Sequence, residues 1–540
     1  METELEIFLA GYLEKVKPLS TELNNFYFKA SVEGKKEDYE KVAELQLKLS
    51  RIFSDKNDFK KLQEFKNSDE VKDPLLLRQL TIIYNEFASH QFDEKVQEEI
   101  IKLATKVEED FSTFRASIGE KKLTDNQIDD ILETSEDNGE LEETWNVSKQ
   151  IGEIVAPDVL KLVKLRNTAA QSMGYKNYHQ MSLKLSEQDP EEIEHLFDNL
   201  DELTRSGFSS LKEEMDGFLS EKYSIDKKSL MPWHYQDKFF QQGPKIFKVD
   251  FDKYFKGKDI VKITRDYYNG MGLNIDDLIE NSDLFEKDGK YQHAYCMNLD
   301  REGDVRVVCN VKDNHRWTGT MLHEYGHAVY DKYISPKLPW VLREPAHIFV
   351  TEAIAMLFGR FAYMAAWLKD VAEITENEVS EIDEPAQKQL RLSQLVFTRW
   401  VQVIYRFEKS MYENPEQDLN SLWWSLVEKY QQIKKPEGRN KPDWAAKIHI
   451  ALYPAYYHNY MLGELLASQL FVYITRKVLK EDDLNGQSFK GRKEAGEYLK
   501  YLYFSYGSLY RWNELILKAT GEELTPKYYA EQFVDEKILD

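Results

Sequence analysis

The chain has 540 residues, 42% hydrophobic and 31% charged, so it can bury a sizeable core and is not a wholly disordered polymer. Its 72 basic and 95 acidic residues leave a formal charge of −23, the wrong sign for a surface that holds nucleic-acid phosphates. Glycine (24) and proline (15) are too sparse for a collagen-like or linker-rich architecture; length alone suggests three or four domains, though a large helical enzyme can fold as one unit.

Residues 1–110 read as amphipathic helices, with Leu9, Leu13 and Val16, then Val42, Leu45, Leu47 and Leu49 at helical spacing. Charges at Glu2, Glu4, Glu6, Glu14, Lys15 and Lys17 interrupt the first 18 residues, which do not read as a secretory signal. The expected compartment is therefore cytoplasmic, or periplasmic or secreted if a signal has been removed. Thr124-Asp125-Asn126-Gln127 is a helix-capping signal, and helix continues over 127–220 with turns expected at Asn138-Gly139 and Gly174.

Residues 285–311 form the strand region: 291–299 and 305–311 flank the polar turn Asp300 to Asp304. A hairpin centred near Glu302 sets Cys296 opposite Cys309, the chain's two cysteines, so a bridge and two buried thiols are both open readings. Helices follow over 317–333, 346–372, 386–413, 419–433 and 455–479, and the charged stretch 434–443 is a loop. The apolar run 346–368 is a buried helix rather than a membrane span, because Glu352 and Arg360 would sit in lipid. The fold expected is mainly α with one small antiparallel sheet.

The sharpest chemical signal is His323-Glu324-Tyr325-Gly326-His327. Histidines at i and i+4 share one helical face and can reach one ion, with Glu324 placed to hold a water beside it. A catalytic zinc takes three protein ligands and keeps one open position. Glu352, in the apolar helix 25 residues after His327, supplies a third; the blander reading is a salt bridge to Arg343 or Arg360. Further on, 444–460 (WAAKIHIALYPAYYHNY) crowds one lysine, two histidines and four tyrosines into 17 positions. Tyr453, Tyr456 or Tyr457, and Tyr460 are spaced to share a helical face. Alone that is an aromatic core stripe; beside a zinc site it is a set of neutral donors for an oxyanion.

These segments carry a resemblance. HEYGH, the TEA of 351–353, LWWSLVEKYQQ (422–432) and DWAAKIHI (443–450) with its tyrosines are similar to the peptidyl-dipeptidase A family, the relatives of angiotensin-converting enzyme. Weaker echoes lie in 18–30, 145–175, 231–243 and 292–297. Thimet oligopeptidase and oligoendopeptidase F, neighbouring helical gluzincins, are also similar.

The resemblance implies a helical ellipsoid of two lobes with a deep axial groove. Residues 1–90 and 245–347 would make the lid and zinc side, and 91–244 and 348–540 the second lobe, all one peptidase unit. It implies zinc on His323, His327 and Glu352, with Glu324 as general base toward the zinc-bound water. His449 and Tyr460 would stabilise the oxyanion, and His293 and Ala294 would pair with the substrate backbone. Lys447, Tyr456 or Tyr457, and Gln242 (or Gln241) would clamp the substrate's terminal carboxylate. Release of C-terminal dipeptides from short peptides is the favoured activity; internal cleavage is the alternative, and a catalytically silent peptide-binding module the rival from another class. No nucleic-acid partner or membrane span is expected, and the oligomeric state is not legible.

Three departures from the family pattern stand out. The stretch from His449 to Tyr460 is one residue longer than in the converting enzymes, and its tyrosine spacing is closer to the oligopeptidases. Met356 stands where the family has an aspartate that orients a zinc-bound histidine, so another group must fill that role. Asn459 and Val427 replace the arginines that hold chloride in the animal enzymes. Turnover is therefore expected to be unchanged when chloride replaces another monovalent anion at constant ionic strength; a several-fold rise would overturn this.

Overall fold

A computed structural model describes residues 1–247 and 249–534. The fold is mainly α, with two small antiparallel sheets among the described residues, β1–β2 (Ala116–Ile118, Lys121–Leu123) and β3–β4 (Tyr295–Asn298, Val305–Val308). The first hairpin went unseen in the sequence because three-residue strands carry no periodicity.

The chain divides into two compact units. The first comprises Met1–Gln91, Val249–Ala386 and Leu462–Tyr528; the second comprises Phe92–Lys248, Gln387–Met461 and the segment from Tyr529 onward. The sequence reading put everything from 348 on in a second lobe. Residues 348–386 and 462–528 fall in the first unit instead; for the former, helix Ile348–Phe361 packs along helix His315–Tyr333.

In the first unit, the N-terminal helices Glu2–Glu33, Lys36–Phe53, Lys56–Lys66 and Pro74–Ser89 bury Leu5, Leu9, Val16, Leu62 and Ile83 in one cluster with Trp340 and Leu342. The capping aspartates Asp55 and Asp73 accept from backbone N–H groups in the first turns of their helices. No single described helix is long and apolar enough to cross a membrane. The expected helix over 346–372 is two, Ile348–Phe361 and Ala365–Ala372, bent by 76° at the break.

In the second unit, helix Gln150–Ser172 buries Val155, Val159, Leu162 and Val163 on one stripe. The capping box at Thr124 forms as read, with Gln127 returning a hydrogen bond to the Thr124 backbone. Asn138-Gly139 opens a helix rather than a turn, because Asp137 caps Glu140 N–H. Gly174 does turn, at φ +86°. Loop 434–443 is held by Arg439 paired with Asp443 (2.6 Å), to which Trp424 also donates. Gly152 allows this approach: a Cβ there would lie 2.5 Å from the Pro442 carbonyl oxygen.

The β3–β4 hairpin turns earlier than its sequence suggested. Asn298 pairs with Val305, and Arg301 (φ +58°) and Gly303 (φ +124°) take left-handed backbone within the turn. Asp300 braces the turn by accepting from Glu302 N–H at 2.7 Å and Asp304 N–H at 3.1 Å. Cys296 therefore faces Val307, and Cys309 lies beyond the strand, donating its N–H to Asp283. The bridge reading is corrected: both cysteines are free. Two thiols per chain should titrate in denaturant without reductant; a count of none would mean a bridge.

Candidate metal centre

The motif helix His315–Tyr333 is anchored at its start by Asn314, whose side chain accepts from Trp317 N–H at 2.9 Å. The His315 ring also bonds the Ala362 carbonyl oxygen at 3.0 Å and stacks on Phe251. The ligand helix Ile348–Phe361 crosses the motif helix at a glycine: a Cβ on Gly326 would lie 2.8 Å from Ala355 Cα. Only glycine allows this approach, which brings Glu352 to the two histidines.

His323 Nε2 and His327 Nε2 stand 3.7 and 3.9 Å from Glu352 Oε2. One donor atom from each residue falls within 4.8 Å of the others. A tetrahedral zinc with bonds of about 2.0–2.2 Å spaces its donors roughly 3.4 Å apart, so small rotations suffice.

Electrostatics fit a cation. Burial holds His323 down to about 4 and, with His323 beside it, His327 well below its ordinary value; both present neutral imidazoles. Burial pushes Glu352 up to about 7, aided by the charge of Glu464. Burial and Glu352 push Glu324 up to about 8. Two neutral imidazoles and a partly buried carboxyl with no Lys or Arg partner among the described residues are a donor set that a divalent ion would stabilise. The salt-bridge alternative for Glu352 is not what forms: Arg360 pairs with Glu464, and Arg343 with Glu302.

Thr351 fills the role left open by Met356. Its Oγ1 is hydrogen-bonded to His327 Nδ1 at 2.7 Å, leaving Nε2 for the ion. It precedes Glu352 in the segment already singled out, and a hydroxyl in an apolar helix is the signal that could have found it. His323 packs beside Gly359, whose missing side chain leaves room for the ring.

Two further parts of the first unit bear on the site. β3 has β4 on one side, and β4 is bonded on its far side to the segment at Asp283, so β3 is an edge strand. His293 and Ala294 lie just before it. Lys290, fully buried, braces this corner by donating to Asp283 Oδ1 (2.6 Å) and to the Phe285 carbonyl (2.8 Å).

The remaining predicted residues lie in the second unit. Lys447 donates to Gln241 Oε1 at 2.7 Å and lies 5.3–5.7 Å from the ring centres of Phe239, Trp400 and Tyr457. Among the described residues no carboxylate pairs with it. Burial lowers it to about 8, against the opposing charge of Asp237. The glutamine is Gln241; Gln242 is exposed. Asp237 accepts from Phe239 N–H and Gln241 N–H, and this turn, with Phe240 at φ +51°, directs Gln241 to Lys447.

Tyr457 is the tyrosine beside Lys447, and its hydroxyl accepts from Trp400 Nε1 at 3.0 Å. Burial, then Lys447, lowers His449 to about 4, which keeps its ring neutral. The tyrosines do not share a helical face. Pro454 and left-handed Ala455 break the chain there, so Tyr453, Tyr456 and Tyr457 occupy a turn before helix His458–Tyr473, which carries Tyr460.

His323, His327 and Glu352 together form a donor set that could hold one metal ion. The chain belongs to the angiotensin-converting enzyme family, peptidase M2, whose profile matches residues 1–529. It is 25% identical over 239 residues to an angiotensin-converting enzyme of Theromyzon tessulatum. That match spans 43% of this chain and 38% of the relative's length.

Thr351→Val should lower zinc affinity about 10- to 100-fold, as loss of a ligand's hydrogen-bond partner typically does. Competition against a chromophoric chelator measures it; unchanged affinity would mean that Thr351 does not orient His327.

Proposed function

We propose that the protein is a zinc-dependent peptidase that releases dipeptides from the C-termini of short peptides. Family membership and the His323–His327–Glu352 donor set support the hydrolytic part. One observation carries the choice of substrate end: Lys447, a half-buried cation with a neutral partner, Gln241, and no paired carboxylate among the described residues. A terminal carboxylate is the group such a site is short of.

Zinc, when bound, polarises the scissile carbonyl and lowers the pKa of water. The chain's own residues do the rest. Glu324 takes the proton of the attacking water and returns it to the leaving amine. His449 and Tyr460 donate to the oxyanion as the carbonyl carbon becomes tetrahedral, a contribution worth about 100- to 1,000-fold for one donor. The β3 edge, entered through His293 and Ala294, pairs with the substrate backbone as an added strand. Tyr457 supports Lys447 at the terminal carboxylate. The Tyr453, Tyr457 and Tyr460 spacing favours a second reading, internal cleavage.

Two short peptides, identical except for a free or amidated C-terminus, separate these readings when fragments are followed by mass spectrometry with Glu324→Gln as the blank. Successive dipeptides from the free acid alone are expected. Equal internal cuts in both peptides would replace this reading with an oligoendopeptidase, and no cut in either would favour a binding module. The pH dependence has a sign. Lys447 is an ammonium below about 8 and loses its charge above it. For the free-acid peptide, kcat/KM should therefore fall as pH rises through that range, more steeply than any residual cleavage of the amide. Parallel profiles would remove Lys447 from recognition.

A further inference from the structure

Helix Glu376–Glu413 carries a buried acid that the mechanism above does not use. Glu408 is 2% exposed and accepts one hydrogen bond, from Ala455 N–H to Oε1 at 3.1 Å. Burial pushes it up to about 8, although the Arg166 guanidinium nearby opposes this. Arg166 itself is turned to the Tyr412 hydroxyl at 3.3 Å. Holding one backbone amide with a buried carboxyl is costly; an apolar side chain of similar size would avoid the desolvation.

What Glu408 holds is unusual. Ala455 sits at φ +54°, a left-handed backbone that a residue with a Cβ adopts at a cost of about 1–2 kcal/mol. The turn it makes ends helix Ile448–Leu452, which carries His449, and opens the helix of Tyr460. Immediately after it, Asn459 N–H bonds the Tyr456 carbonyl at 3.0 Å and Tyr460 N–H the Tyr457 carbonyl at 3.2 Å. The direction in which these tyrosines leave the backbone follows from the turn at Ala455. Two helical turns earlier on Glu408's own helix, Trp400 holds the Tyr457 hydroxyl. One rigid helix thus grips the segment by backbone at one point and by side chain at another. Beyond the turn, Gln188 bonds both the His458 ring (2.7 Å) and the Asn459 side chain (2.8 Å).

We propose that Glu408 is a positioning residue for the reaction: by locking Ala455 in its left-handed conformation it fixes Tyr457 and Tyr460 where the transition state needs them. This rests on the peptidase reading. In the zinc-loaded full chain, Glu408→Met should lower kcat about 10- to 100-fold, the cost of a misplacement near 1 Å, with KM little changed. Glu408→Gln keeps an acceptor for Ala455 N–H and should stay close to wild type. Adding Ala455→Gly to Glu408→Met should restore part of kcat, because glycine takes the left-handed backbone unaided; a merely structural defect would not respond to that change.

Amide hydrogen exchange reads the clamp without catalysis. Ala455 should be protected in wild type and exchange faster in Glu408→Met. Unprotected Ala455 in wild type overturns the inference even if the variant does not fold. An active wild type with an equally active, folded Glu408→Met overturns the inference alone, whereas an inactive wild type overturns the peptidase reading and the catalytic consequence with it.

Discussion

Two helices meet where one of them has no side chain. At Gly326 the motif helix lies against the backbone of Ala355, and a single methyl group would force them apart. The grouping of the three candidate metal donors in the first unit depends on that crossing. Histidines four residues apart place two donors on one face of a helix, but only a close neighbour delivers the third. Glu352 reaches them because its helix is admitted at Gly326, and Thr351 reaches His327 from the adjacent position on the same helix. The glycine inside the histidine motif thus belongs to the chemistry as much as the histidines do.

The charges around this crossing are arranged asymmetrically. Glu464 is matched within the protein by Arg360, which donates to its carboxylate and also to Ser468. Among the described residues Glu352 and Glu324 are paired with no Lys or Arg, and burial pushes both toward neutrality. Buried acids left in that condition are expensive unless something positive arrives. The second unit repeats the pattern with opposite sign: Lys447 is lowered by burial and met by the neutral amide of Gln241.

Much of this was legible in the sequence, for identifiable reasons. The helical fold, the motif helix and the candidate third donor follow from periodicity and from the oddity of an acid in an apolar stretch, both local properties. Features that depend on where a backbone turns were less legible. The β3–β4 register hung on Arg301 adopting left-handed backbone, which composition does not announce. The tyrosines looked helical by spacing until Pro454 and Ala455 are seen to break the chain between them. Gln241 and Gln242 were indistinguishable until the Asp237 turn chose between them. Thr351 was in view all along, but its partner lies 24 residues away and only the helix crossing brings them together.

Lys447, on the proposed activity, recognises a functional group rather than a molecule. On the proposed activity, each cut of a peptide leaves two fragments, and both end in that group: the shortened chain and the departing dipeptide. Lys447 therefore offers the same foothold to what enters and to what must leave. On that activity, spent fragments compete for the place that oriented the original peptide as substrate is consumed. The residue that, on that activity, selects which end of the peptide is cut also exposes the reaction to competition from its own products, without any separate regulatory part.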